Sequence, residues 1–357
     1  MSRETGGYDS AALRVLFIGG TGTISASSVR LAVASGMDVT VVNRGRNGAE
    51  RATPPGVESL VADVTNPDAL AAALSDRSFD CVINFLSFDT TDVERMVTAF
   101  RGRTAQYVHI SSASIYSKPV LHVPITESSP VAMNKDLEYA RAKLRAEDAL
   151  LAEHRESGFP VTIVRPSHTY DDANPPLPGG WTVVDRIKRG KEIPVHGDGT
   201  SLWTLTHAED FAQGLVGLIG NPRSRGEVFN ITGSDVYTWD QIYSIIATAL
   251  GTEARLVHVA SDMFPLAAPE WFWSGEMVGD LGHSAIFDSS KIRRFVPNFA
   301  PRLTFHRAAS RMVDWHHEHP DSTGPDPETD EILDRIVGAY HAAAAVYGSF
   351  APLPETL

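Results

Sequence analysis

Arg14-Val15-Leu16-Phe17-Ile18-Gly19-Gly20-Thr21-Gly22-Thr23-Ile24-Ser25 decides the fold. Val15–Ile18 is a short, unbroken apolar run ending in glycine, as expected of a strand buried on both faces. An Ala/Val/Leu-rich stretch with helical spacing follows, as far as Ser35-Gly36. Strand, glycine turn and helix in that order form the context of a dinucleotide loop. Glycine lets the backbone approach a pyrophosphate, and the helix start offers free N–H groups and the positive end of a dipole. The pattern is Gly-x-x-Gly-x-x-Ser, with Gly19, Gly22 and Ser25. A purely structural glycine turn is the bland reading, and the flanking elements weigh against it.

The alternation continues outward. Met37–Asn43 reads as a second strand ending in Asn43-Arg44-Gly45-Arg46. An acidic residue there would accept ribose hydroxyls and repel a 2′-phosphate. A neutral amide followed by two guanidiniums suits a 2′-phosphate better, which favours NADP slightly over NAD. Val57–Ala62 is a third strand leading to Asp63-Val64, with Asp63 placed for the adenine edge. Asn66 caps a helix that has Pro67 at its first position. Phe79–Asn84 is a fourth strand, Asp89–Arg101 a helix and Ala105–Ser111 a fifth strand. This order predicts an α/β fold, a Rossmann-type doubly wound parallel sheet. The expected domains are a dinucleotide-binding unit over 13–170, to which 204–235 returns, and a smaller substrate-binding α/β lobe over 171–320. A C-terminal helix is expected over 328–347, and residues 1–12 are expected to be frayed.

The chemistry sits between Tyr107 and Lys143. A strand ends in Ser111-Ser112-Ala113-Ser114-Ile115-Tyr116, and a helical pattern over 135–157 carries Tyr139-Ala140-Arg141-Ala142-Lys143. Tyr and Lys at i and i+4 share a helix face. The ammonium is then expected to depress the phenol pKa, and the phenol to exchange a proton with a substrate hydroxyl or carbonyl. Tyr-x-x-x-Lys alone is a common accident of sequence; the glycine loop upstream gives it weight.

Composition narrows the function. The chain has 357 residues, 43% hydrophobic and 21% charged, with a net charge of −13 from 31 basic and 44 acidic residues. That balance argues against nucleic-acid and anionic-membrane partners. The lone Cys81, in an apolar run, reads as a buried strand residue. His316, His317 and His319 cluster beside Trp315, but there is no His-Glu-x-x-His, so no metal is expected. No apolar run is long enough to span a bilayer and no leader pattern is present, so a cytoplasmic protein is expected.

Gly19-x-x-Gly22-x-x-Ser25, Asp63-Val64, Ser112 and Tyr139-x-x-x-Lys143, in this order and on these elements, resemble the extended short-chain dehydrogenase/reductase superfamily. Within it the chain is most similar to the NAD-dependent epimerase/dehydratase family, over roughly residues 14–315. The resemblance implies Ser112, four residues before Tyr116, as the hydroxyl partner, Tyr139 as acid/base, and Lys143 as the residue that holds the nicotinamide ribose and depresses the Tyr139 pKa. It places Gly19, Gly22, Thr23, Ile24, Asn43, Arg44, Asp63, Val64, Asn84, Leu86, Pro166 and His168 at the cofactor. It places Ser114, His168, Tyr170 and Trp203 at a small-molecule substrate, and implies a homodimer.

Two departures bear on substrate and reaction. Nucleotide-sugar members of the family carry a phosphate-clamping arginine where this chain has Trp203, which suggests an apolar stacking face or a lobe-core tryptophan. Dehydratases place Asp-Glu after the hydroxyl residue, where Ala113-Ser114 stand here. The open readings are an NAD(P)-dependent oxidoreductase on a secondary alcohol or ketone of a sugar-like or natural-product substrate, a self-recycling sugar epimerase with tightly bound NAD, and, remotely, a non-catalytic binding or regulatory protein on the same fold.

Overall fold

The computed structural model describes residues 12–45, 53–322 and 324–349. Arg46 and residues 1–11 of the expected frayed segment lie outside the described residues. The first half runs β1 (Arg14–Ile18), α1 (Thr23–Ala34), β2 (Asp38–Asn43), β3 (Glu58–Val61), α2 (Pro67–Leu74), β4 (Cys81–Asn84), α3 (Thr90–Phe100), β5 (Tyr107–Ile110), α4 (Glu138–Ser157) and β6 (Val161–Pro166). These six strands and the later β10 (Val228–Ile231) form one seven-stranded sheet in the order β10-β6-β5-β4-β1-β2-β3. Every pairing in it is parallel.

The β1 sequence explains its central place. Side chains alternate between the two faces of a strand. Val15 and Phe17 enter one core with Val29 and Ala32 of α1. Leu16 and Ile18 enter the other, with Leu70 of α2 and Val93 of α3. A strand buried on both faces has no room for polar alternation, hence the unbroken apolar run. Its neighbours are β2 on one side and β4 on the other, so chain order reverses at its C-terminal end. Ligands of open α/β sheets bind at such a switch point.

Local signals set several element ends. Asn66 accepts from the Asp68 and Ala69 amides ahead of Pro67. Asp89 accepts from the Asp92 amide at the start of α3. The helix over 135–157 begins later than its pattern suggests, at Glu138. Asn134 holds the preceding segment instead, accepting from the Asp136 amide (3.0 Å) and donating to the Gly279 carbonyl (2.7 Å).

The second half runs β7 (His168–Tyr170), α5 (Gly180–Lys188), β8 (Glu192–His196), β9 (Leu202–His207), α6 (Ala208–Leu218), β10, β11 (Val236–Thr238), α7 (Trp239–Ala249) and β12 (Arg255–Val259). It continues through α8 (Phe264–Ala267), α9 (Phe272–Glu276), a π turn (Met277–Leu281), α10 (Ser290–Phe295), α11 (Phe305–Glu318) and α12 (Pro327–Gly348). Small sheets β11-β9-β7 and β12-β8 carry the lobe. Its core joins Val183, Val195, Trp203, Trp239, Phe305 and Leu333. The chain also returns to the first core through α10, with Ile292, Val296 and Phe299, which lies beyond the 204–235 expected to do so. Asp210 of α6 accepts from the Arg302 and Leu303 amides (both 3.1 Å) and ties this stretch down. Among the described residues, no helix is long and apolar enough to cross a membrane.

Candidate active site

A cleft of about 490 Å³ opens at the switch point. Gly19, Gly22, Ile24, Asn43, Arg44, Asp63, Val64 and Leu86 line it. The glycines there have a steric reason. A Cβ on Gly19, whose φ is +85°, would stand 2.7 Å from Leu86 Cγ, and one on Gly20 would stand 2.8 Å from Val41 Cγ1. No side chain caps the start of α1, so its dipole end is open to the cleft. Ser25 Oγ accepts from the Gly22 amide (2.7 Å) and holds the turn. This cradle fits a pyrophosphate, as a dinucleotide cofactor requires.

The other expected cofactor residues take several roles. Asn43 Oδ1 accepts from the Gly45 amide (2.8 Å), and Asp63 Oδ1 from the Thr65 amide (3.0 Å). Arg44 is exposed at the end of β2. Thr23 Oγ1 accepts from Asn174 Nδ2 (3.4 Å), which bridges the glycine loop to the lobe. Asn84 does not offer its amide to a ligand. It donates to Ser87 Oγ (2.6 Å) and Tyr107 Oη (2.8 Å), and accepts from the Leu86 amide (2.7 Å). It shapes the loop after β4 rather than lining the cleft itself.

Ser112, Tyr139 and Lys143 come together beside this cleft. The register of β5 delivers Ser112 just past the strand end, and the first turn of α4 delivers Tyr139. Ser112 Oγ pairs with Ser114 Oγ (2.8 Å) and lies close enough to the phenol to pull its pKa down. Lys143 is 2% exposed. Its ammonium donates to the Ser87 carbonyl (2.7 Å) and the Ile110 carbonyl (2.9 Å). It lies 4.4 Å from the Phe88 ring centroid and 5.9 Å from that of Tyr139.

The electrostatics correct one expectation. Burial pushes the Tyr139 phenol up to about 12; Ser112 opposes this, and Glu276 and Asp280 add to it. Lys143 is not what sets that pKa here. Its own pKa falls to about 7 through burial, against the pull of Asp92 and Glu147. The phenol is therefore a proton donor at neutral pH, and the lysine is a weakly held cation turned toward carbonyls.

Two expected substrate residues are buried in the lobe. Tyr170, 1% exposed, stacks edge-on against His207 and Phe305, with ring centroids at 5.1 and 5.3 Å. Trp203, 3% exposed, donates its indole N–H to the Leu281 carbonyl (3.0 Å). It is the lobe-core tryptophan, not a free stacking face. His168 Nε2 lies 3.1 Å from the Pro176 carbonyl, wedged against Trp203 and Trp239, and burial lowers its pKa. Pro166 closes β6, buried and paired with Ile231.

Other charged groups that the sequence did not signal stand at the same place. Lys118 Nζ lies 2.7 Å from Asp280 Oδ1, both side chains nearly buried, and 5.2 Å from the Trp203 ring centroid. Glu276 is also buried. Nothing in their spacing, about 160 residues apart in sequence, could have brought them to notice. Elsewhere Asp172, His207 and Glu209 come within reach of a common ion. The Arg311 guanidinium already binds both carboxylates (2.5 and 2.6 Å), which accounts for the cluster without a metal.

Residues 15–232 match the family model described as NAD dependent epimerase/dehydratase family. The chain belongs to this family. Relatives of the chain are named as dehydratases and a reductase, and the sheet, switch point and glycine loop described above are the Rossmann-like fold of its structural neighbours. The chain is 26% identical over 302 residues to 2′-dehydrokanamycin reductase of Streptomyces kanamyceticus, covering 81% of each chain. It is 27% identical over 259 residues to the chloroplast stem-loop binding protein of 41 kDa b of Arabidopsis thaliana, covering 69% of this chain and 65% of that one, just under two thirds of its length. Among solved structures it resembles the dTDP-glucose 4,6-dehydratase DesIV of Streptomyces venezuelae, determined with NAD bound. The TM-score is 0.72 at 21% identity, over 87% of this chain and 98% of that one. That likeness speaks for the fold alone.

Proposed function

We propose that this family member is an NAD(P)-dependent oxidoreductase acting on a secondary alcohol or ketone of a sugar-like substrate, and that its net reaction is carbonyl reduction. The observation that carries this reading is the convergence of Ser112, Tyr139 and Lys143 at the mouth of the glycine-loop cleft. The glycine turn, the start of α1, Arg44, Asp63 and Val64 would hold the dinucleotide, and Lys143 its nicotinamide ribose. The cofactor, when bound, supplies the hydride. Ser112 orients the carbonyl oxygen by a hydrogen bond. Tyr139, a neutral phenol with its pKa near 12, gives that oxygen its proton. The Phe88 ring, its centroid 4.4 Å from the Lys143 ammonium, covers that group. Ala113-Ser114 provide no carboxylate for sugar dehydration.

Support for the reductive direction comes from the phenol's being held in its protonated form by burial and from the relative named as a reductase of a dehydro sugar. Arg44 at the end of β2, with no acidic residue there, favours NADP over NAD. A second reading, RNA binding, is suggested by the relative named as a stem-loop binding protein. The net charge of −13 opposes it, because RNA affinity rests on phosphate neutralisation.

Denaturing the purified protein and identifying any released nucleotide tests the reading. Protein free of nucleotide that binds NADPH more tightly than NADH supports the reductase. Stoichiometric NAD⁺ points to a self-recycling epimerase. Binding of neither nucleotide overturns both.

A further inference from the structure

Tyr139 has two walls. The sheet side carries Lys143; the lobe side carries Glu276 at the end of α9 and Asp280 in the π turn. Two features of the lobe side stand out. First, its one buried cation, Lys118, is committed to Asp280 at 2.7 Å. Among the described residues no unpaired buried cation is left on this wall for a diphosphate; Lys135, at the rim, is exposed. Second, Glu276 is 8% exposed yet makes no hydrogen bond or ion pair among the described residues. A carboxyl group withdrawn from water without a partner is costly. The π turn after Glu276 packs on the segment before α4, where Asn134 donates to the Gly279 carbonyl (2.7 Å), and from there the Glu276 charge acts on the Tyr139 phenol.

We propose that Glu276 is the anchor for a substrate ammonium group, so that the sugar-like substrate of the reaction proposed above is an amino sugar or aminocyclitol rather than a sugar nucleotide. An ammonium supplies what the site lacks: a positive charge and hydrogen-bond donors for an orphaned buried carboxylate. The Lys118–Asp280 pair is already neutral, so Glu276 plus one ammonium closes the charge balance of this wall. A cavity of about 210 Å³ at the π turn that follows Glu276 is bordered by Lys118, Asn134, Lys135, Asp136, Gly279 and His283, and gives the rest of a sugar ring somewhere to lie. The exposed Lys135 and Asp136 both stand at its rim and offset one another in charge.

The proton balance follows. Burial, and then the Asp280 charge, raises the Glu276 pKa to about 8, against the pull of Lys118. The other titratable groups around this wall are Tyr139 from α4, Lys135 and Asp136 just before it, His168 from β7 and His283 past the π turn. At pH 7 the free carboxyl is mostly protonated. Capture of an ammonium ion requires the carboxylate, so binding releases a proton. Affinity rises with pH until Glu276 is ionised, near pH 8.

Isothermal titration calorimetry of the full chain, in two buffers of different ionisation enthalpy at pH 7, tests this with kanamycin, per-N-acetylated kanamycin and dTDP-glucose. The expected result is binding of kanamycin with release of close to one proton, and weaker binding of both other probes. Glu276→Gln is expected to weaken kanamycin binding about 10- to 100-fold, to remove the proton release, and to leave the acetylated probe unchanged. Circular dichroism checks that this isosteric variant folds, and the wild-type proton count stands without it. The inference is overturned if kanamycin does not bind, if it binds no better than its acetylated form, or if dTDP-glucose binds in preference. Failure of the oxidoreductase reading shows differently: neither nicotinamide nucleotide binds, whatever the amine result.

Discussion

The two walls of Tyr139 bury lysines in opposite ways. Lys143, on the sheet side, meets two carbonyl dipoles and no carboxylate. Its proton is loosely held, with a pKa near 7. Lys118, on the lobe side, sits against Asp280, beside a carboxyl group that has no partner of its own. Burial is the common condition, and compensation decides the outcome. Half-compensated charge near the reacting oxygen is poised to act on a ligand. Fully paired charge holds the wall in place.

The largest expected effect comes from breaking the centre between the walls. Tyr139→Phe removes the proton donor and is expected to lower kcat by about 10²–10⁴-fold or more while nucleotide binding persists. Steady-state kinetics and a nucleotide titration together check this. Next comes Lys118→Met, which strands Asp280 in the interior. It is expected to destabilise the chain by about 3–5 kcal/mol, and a second change, Asp280→Leu, to recover most of that loss, as measured by urea unfolding. Gly20→Ala drives a Cβ against Val41 and is expected to weaken nucleotide binding about tenfold or more.

The pH dependence of stability sharpens the contrast between the walls. Glu276 is raised on folding, so its contribution is present at low pH and is lost as pH rises toward about 8. Lys143 is depressed on folding. It destabilises the native state where the unfolded chain is protonated, and this penalty is relieved as pH rises from about 7 toward 10. Opposite slopes below and above pH 7–8 are therefore expected in the thermal midpoint. Glu276→Gln should flatten the lower limb, and Lys143→Met the upper one. The smallest effect is expected at the surface: Arg44→Glu should shift preference from NADPH toward NADH by about tenfold.

What the sequence revealed was what is local. The run Val15–Ile18 with its glycine turn and the Asn66-Pro67 helix start each carry their reason within a few residues. The Tyr139–Lys143 spacing is local too, and it brings the pair to one helix face. Tyr170 and Trp203 misled because an aromatic residue near a substrate lobe looks the same in sequence whether it faces a ligand or the core. Their burial depends on α11 and on the 277–281 turn, more than 70 residues away. Glu276 and Lys118 were invisible for the same reason: no motif joins them, and only the packing of the π turn against the segment before α4 brings them to Tyr139. Asn84 marks an intermediate case. Its position at the strand end was legible, but its three hydrogen bonds to the loop were not.

The most direct measurement follows nicotinamide fluorescence as NADPH is titrated into wild type, Tyr139→Phe and Lys143→Met, with turnover of a sugar ketone measured on the same preparations. The account predicts equal NADPH binding by wild type and Tyr139→Phe, weaker binding by Lys143→Met, and turnover by wild type alone. Absence of NADPH and NADH binding by wild type, or undiminished turnover by Tyr139→Phe, would contradict it.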